Sequence, residues 1–134
     1  MSASDGGTAA RTVVITGGLG NLGSKLCRHL LDRKPVGGGG PPAPRTYEVV
    51  LVEHPAFIDP SRPLPHGDAT VLPCDLGDPT PEQRTALREA LMGADVLVHF
   101  SAVNPYPNAS WGESARSMDH TFFVFQMAVM CKGE

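Results

Sequence analysis

The run Val13-Val14-Ile15-Thr16-Gly17-Gly18-Leu19-Gly20-Asn21-Leu22-Gly23-Ser24-Lys25 holds the residues of this chain best suited to chemistry. A short apolar stretch runs into glycines and then into an amphipathic segment. Glycines let a backbone turn tightly and come close to a ligand. A helix opening directly after them offers free N–H groups and a partial positive charge to phosphate. Two registers overlap, Gly17-x-x-Gly20-x-x-Gly23 and Gly18-x-Gly20-x-x-Gly23. The order Gly23-Ser24-Lys25 excludes a Walker-type loop, which needs Gly-Lys followed by Ser or Thr. Glycines also serve ordinary turns, so the strand before and the helix after must discriminate. With both present, the pattern suits the pyrophosphate of a dinucleotide.

An acid at the end of the second strand, about 20 residues on, is the usual partner of such a loop, because it accepts the adenosine ribose hydroxyls. Glu53 follows Gly23 by 30 residues. Setting aside the ten residues Pro35 to Pro44 as an inserted loop restores the spacing. A carboxylate there repels a 2′-phosphate, which favours NAD over NADP. The plainer alternative is a solvated acid at a strand end.

The elements that would position these residues alternate. Thr12 to Thr16 reads as a strand buried on both faces. From Leu22 a helical period sets in, with Leu22, Leu26 and Leu30 on one face, ending before Pro35. Residues 1–11 read as a disordered lead-in and Pro35 to Thr46 as an exposed Gly/Pro insertion. Tyr47 to Val52 is a second strand, followed by a Pro-rich stretch without a regular element, and Ala69 to Leu72 a third. Thr80-Pro81-Glu82-Gln83 has the spacing of a capping box and opens a helix with Leu87 and Leu91 on one face, stopped at Gly93. Asp95 to Phe100 is a fourth strand. Ser110-Trp111-Gly112-Glu113 repeats the cap spacing. After it Trp111, Ala115, Met118, Phe122, Phe125 and Val129 recur at steps of three and four, with a second apolar set at Phe123, Met127 and Met130. Trp111 reads as a core residue at the helix start. Strands alternating with helices predict a Rossmann-like, doubly wound α/β parallel sheet of about four strands in order 3-2-1-4, incomplete because strand four lies at an edge.

The bulk properties narrow the function classes. The 134 residues allow one modest core, spanning residues 12–134, and the formal net charge of −3 without a basic run argues against nucleic acid. The 15 glycines and 13 prolines cluster in loops. Three cysteines, Cys27, Cys74 and Cys131, have no metal-like spacing and fit reduced thiols in a cytoplasmic protein. No signal peptide or membrane span is expected. The five histidines lack ligand-spaced partners, so no metal site is expected. His99, on a strand, reads as a packed histidine.

With these residues in hand, the chain resembles the extended short-chain dehydrogenase/reductase family, the NAD-dependent epimerase/dehydratase group. Thr16 to Gly23 is similar to that family's TGxxGxxG loop, which carries Gly17, Gly20, Asn21, Leu22 and Gly23 into the cofactor site. Cys74-Asp75-Leu76 resembles the acid–hydrophobic pair that flanks adenine; Asp75 has an ordinary alternative role, capping a turn with Gly77 and Asp78. His99-Phe100-Ser101-Ala102-Val103 resembles the HxAA segment beside the nicotinamide ribose, and Ser101 is either a pocket hydroxyl or strand-end packing. His120 to Ala128 resembles the family helix written GTxNVxEAA. The texture is nearest to uronate dehydrogenases.

The chain also departs from the family. An asparagine expected three residues before the Gly-Thr pair is Ser117. The tyrosine and lysine of the family's Tyr-x-x-x-Lys pair are absent: four residues after Tyr47 and Tyr106 stand Leu51 and Ser110, and the lysines are Lys25, Lys34 and Lys132. The resemblance therefore implies an NAD-binding portion, with no catalytic residue of its own. Its parent activity would be oxidoreduction or epimerisation of a sugar nucleotide or uronate. Two alternatives stand beside it. One is a non-catalytic module that senses NAD or pairs with another subunit or a second copy through residues 111–131. The other is a truncated product without independent activity.

Overall fold

The computed structural model describes residues 10–32 and 46–132. The lead-in and insertion expected from the sequence lie mainly outside the described residues. Four strands, β1 (Arg11–Thr16), β2 (Tyr47–Glu53), β3 (Thr70–Pro73) and β4 (Val96–His99), form one parallel sheet in the order β3-β2-β1-β4. Three helices accompany them: α1 (Asn21–Leu31), α2 (Pro81–Met92) and α3 (Trp111–Lys132). The fold class and strand order are those expected.

β1 occupies the middle of the sheet. Val13, Val14, Ile15 and Thr16 are all buried, because helices cover both faces and neighbours pair on both edges. Val13 and Ile15 point to one layer, with Cys27, Leu31, Val49, Leu51 and Ala69. Val14 points to the other, with Val52, Leu76, Leu87, Leu91 and Val124. The three cysteines are free thiols. Burial, then the neighbouring Asp75, raises the Cys74 pKa to about 11, so that thiol stays protonated at neutral pH.

Two helices depart from the expected faces. In α1 the buried positions are Gly23, Cys27 and Leu31, while Leu22 is 60% exposed at the mouth of a cleft. Gly23 must lie against the loop, which turns Leu22 outward, while Leu26 and Leu30 of the expected row stay partly buried against the core. In α3 the expected core stripe faces outward. Trp111 is 92% exposed, and Met118, Phe122, Phe125 and Val129 are exposed with it. The inward face instead carries Ser117, Thr121, Val124, Ala128 and Cys131. Its first two residues hydrogen-bond to the segment around β4, and its last three pack on the core. Two of those five residues are hydroxyl-bearing, so apolar periodicity selected the wrong stripe. Phe123 and Met127 are partly buried against the core, and Met130 is exposed.

α2 follows expectation. The Thr80 side chain accepts from the Gln83 amide at 3.1 Å, and Gln83 Oε1 accepts from the Thr80 amide at 3.2 Å. Leu87 and Leu91 are buried on its inner face, and Gly93 is the C-cap. Leu87→Ala should cost about 2–5 kcal/mol in urea unfolding. Phe57→Ala, at a position 71% exposed, should stay within about 0.5 kcal/mol.

Candidate functional site

The carboxyl ends of β1, β2 and β4 converge where the strand order reverses: the chain passes from β1 out to β2 and β3, then returns to β4 on the other side. In open parallel sheets a crevice forms at such a point, and ligands bind there. Two adjoining cavities occupy it, of about 570 and 440 Å³.

The first cavity is built by the glycine loop. Gly17 has φ +65, a conformation that residues with a Cβ rarely adopt, and a Cβ there would lie 3.1 Å from the Phe100 carbonyl carbon and the Ser101 nitrogen. Gly20 caps α1 with no side chain to offer, so no side-chain hydrogen bond closes that helix start. The first intrahelical bond is Ser24 N to the Gly20 carbonyl, at 2.9 Å. The amides of Asn21, Leu22 and Gly23 precede it and belong to the orphan donors of a helix start. By contrast α2 and α3 are capped, by Thr80 and by Ser110 with Glu113. A Cβ on Gly23 would collide with the Gly17 carbonyl oxygen and stand 2.7 Å from Gly18 Cα. That glycine lets the helix start sit on the loop.

Glu53 ends β2, is buried, and lines both cavities. Its carboxylate accepts the Leu19 amide at 3.2 Å through Oε2 and the His54 amide at 3.0 Å through Oε1. It thus ties the glycine loop to the end of β2, and each oxygen keeps a second lone pair for another donor. Burial among backbone donors rules out the solvated strand-end acid.

The second cavity is floored by Cys74, Asp75 and Leu76 and walled by Ser101, Ala102 and Val103. Asp75 Oδ1 accepts the amides of Gly77 at 3.0 Å and Asp78 at 3.3 Å, which is the turn-capping role. Its Oδ2 stands 3.4 Å from His54 Nε2 at the cavity rim. Every residue the sequence nominated is therefore brought to this pair of cavities: Gly17, Gly20, Asn21, Leu22 and Gly23 to the first, Asp75, Leu76 and Val103 to the second, Glu53, Ser101 and Ala102 to both.

Sequence reasoning missed several contributors. Phe57 lines both cavities from a 3₁₀ turn, Pro55–Phe57, whose start is capped by His54 Nδ1 accepting the Ala56 amide. Arg62 reaches the first cavity from the same Pro-rich stretch, and Arg116 and His120 reach the second from α3. The helical spacing of Arg116 and His120 was the available signal for the last pair. No cluster of ligating side chains suited to a metal occurs among the described residues, nor does a helix long and apolar enough to cross a membrane.

No family model matches the chain, and no curated protein sequence matches it. Solved structures do match in fold. The Bordetella bronchiseptica enzyme WbmG in complex with NAD shares 22% identity at a TM-score of 0.62, over 97% of this chain and 36% of that one. The fold is shared with enzymes solved around NAD. A uronate dehydrogenase from Agrobacterium tumefaciens complexed with NAD matches at 19% identity and TM-score 0.58, over 91% of this chain and 37% of its own. A UDP-N-acetylglucosamine 4-epimerase from Methanobrevibacter ruminantium M1, in complex with UDP-N-acetylmuramic acid, matches at 20% and 0.58, over 92% and 34%. The chain spans about a third of the length of each of these proteins.

Gly23→Ala should destabilise the chain by about 1–3 kcal/mol in urea unfolding, because the added methyl meets backbone that has no rotamer to yield.

Proposed function

We propose that residues 11–132 form the dinucleotide-binding portion of an extended short-chain dehydrogenase/reductase-type protein, with NAD as its cofactor. The observation that carries this is the uncapped start of α1, set by Gly17 and Gly23 beside the buried carboxylate of Glu53. The orphan amides of Asn21, Leu22 and Gly23 and the positive end of the α1 dipole suit a pyrophosphate. Glu53 suits the adenosine ribose hydroxyls and opposes a 2′-phosphate. Asp75 and Leu76 border the space for adenine, and Ser101 to Val103 the ribose on the nicotinamide side. The parent activity is oxidoreduction or epimerisation of a sugar nucleotide or uronate. The cofactor supplies the hydride chemistry, and this chain's residues bind and orient it. No residue here is assigned a catalytic role, because no tyrosine is followed four positions on by lysine. Free thiols fit a cytoplasmic setting.

Calorimetric titration tests this reading. NAD should bind saturably and NADP at least about tenfold more weakly, a difference of about 1.4 kcal/mol. Glu53→Gln should narrow that ratio. Equal affinity for both cofactors would remove the role given to Glu53, and binding of neither would remove the dinucleotide reading.

A subunit-pairing role is supported by the outward face of α3. Trp111, Ala115, Met118, Phe122, Phe125 and Val129 follow one another by 4, 3, 4, 3 and 4 positions, the spacing of a coiled-coil seam, and all are exposed. That spacing reads the same in both directions. An antiparallel second copy related by a two-fold axis near residue 120 sets Trp111 opposite Val129, Ala115 opposite Phe125 and Met118 opposite Phe122, so two of the three pairs join a large residue to a smaller one. Sedimentation velocity should show a concentration-dependent dimer that Phe122→Glu converts to monomer. A monomer at every concentration would dismiss the second copy as occupant of this face.

A further inference from the structure

His99 ends β4 and makes two hydrogen bonds whose directions are fixed by their surroundings. Its Nε2 lies 3.0 Å from Thr121 Oγ1, and that hydroxyl spends its one proton on the Ser117 carbonyl at 3.0 Å. Nε2 must therefore carry a hydrogen and donate it. Nδ1 lies 2.6 Å from Thr16 Oγ1, which accepts the amides of Phe100 at 3.1 Å and Ser101 at 3.3 Å. The Phe100 amide is shared with the Thr16 carbonyl, also at 3.1 Å, and the Ser101 amide completes the donors to Oγ1, so the hydroxyl's own proton is left for Nδ1. Each bond has one sense only, from the Phe100 and Ser101 amides through Thr16, His99 and Thr121 to the Ser117 carbonyl. The neutral Nε2–H imidazole is the form that completes it.

The chain of bonds controls one wall of the candidate site. Phe100 is held by both the carbonyl and the hydroxyl of Thr16, Ser101 by the hydroxyl alone, and Val103 donates to Ser117 Oγ at 2.9 Å. The segment from Phe100 to Val103 is thus fixed at both ends, against Gly17 and along both cavities.

We propose that His99 is a positioning residue for the dinucleotide site: its neutral Nε2–H form sets the Phe100–Val103 wall, and protonation loosens that wall at Ser101 and weakens binding. The inference rests on the dinucleotide reading and adds its proton dependence. A proton on Nδ1 would aim a third donor at Thr16 Oγ1 and leave the threonine hydroxyl proton without its acceptor. Thr16 is fully buried, so water offers no substitute. Of the groups facing the ring, His120 on α3 is titratable, Phe125 on α3 presents its ring at 72° and 5.9 Å, and Thr16 on β1 carries no charge.

Burial, then His120, holds the His99 pKa below the ordinary histidine value. The folded state binds this proton more weakly than the unfolded one. The neutral form's contribution is complete above the ordinary value and is lost as pH falls through it towards the depressed one.

The test is a titration of the ¹⁵N-labelled chain, with histidine-ring spectra to read the tautomer and calorimetry to read NAD affinity. At pH 7.5 His99 should be the Nε2–H tautomer. Its titration should midpoint below the ordinary histidine value and carry the amide shifts of Phe100, Ser101 and Val103 with it. NAD affinity should fall about tenfold per pH unit below that midpoint. His99→Gln, whose amide accepts at one end and donates at the other, should keep binding at pH 7.5 within about threefold and lose the acid-side decline. An Nδ1–H tautomer, amides that ignore the titration, or the same decline in His99→Gln would overturn the proposal. A chain that binds no NAD at pH 7.5 defeats the dinucleotide reading. In that case the tautomer and the coupled amide shifts, which need neither cofactor nor variant, still decide the role of His99.

Discussion

The backbone at Gly17 approaches Phe100 and Ser101 so closely that a Cβ would stand 3.1 Å from either, and the other features of the carboxyl edge depend on that approach. β1 is the central strand, paired with β2 on one side and β4 on the other. Its last residue, Thr16, reaches across to the backbone that follows β4, and the next residue turns under it with a positive φ. A larger residue at Gly17 would push the two segments apart and break bonds that Thr16 makes to both Phe100 and Ser101. The cleft is therefore shaped by backbone proximity first, and its side chains are placed afterwards.

The same edge shows how a buried carboxylate is accommodated. Glu53 is nearly inaccessible, yet among the described residues its hydrogen-bond donors are two backbone amides and no cation. Amide donors fixed by secondary structure cost little to orient, and they offset desolvation without a long flexible side chain. This makes Glu53 a brace as well as a candidate ligand. The amide of Leu19, in the middle of the glycine loop, is held by the acid at the end of the neighbouring strand.

How far the sequence could be read follows from which interactions set each element. β1 was legible because both of its faces are apolar, so Val13 to Ile15 admit one interpretation. α2 was legible because its cap and its two buried leucines agree. The glycine loop was legible because Gly17, Gly20 and Gly23 each answer a backbone demand, and such demands leave a fixed spacing. α3 was misread because its inner face is chosen by hydroxyls. Ser117 and Thr121 anchor the helix through Val103 and His99, and no hydrophobic pattern records such bonds. Phe57 and Arg62 were missed for a related reason: the Pro-rich stretch has no periodicity, and a 3₁₀ turn capped by a histidine ring places Phe57 at the cleft.

The two faces of α3 are not independent. Phe125 belongs to the outward seam and is 46% exposed, yet its ring packs edge-on against His99 at 5.9 Å. Whatever covers the seam removes water from Phe125, whose ring lies against the imidazole. Desolvation already disfavours the charged form of His99, and deeper burial acts in the same direction. Association on the outer face of α3 would therefore extend to lower pH the range over which the imidazole stays neutral and the Phe100–Val103 wall stays in place. A single aromatic ring, shared between the seam and the network, is enough to link the two.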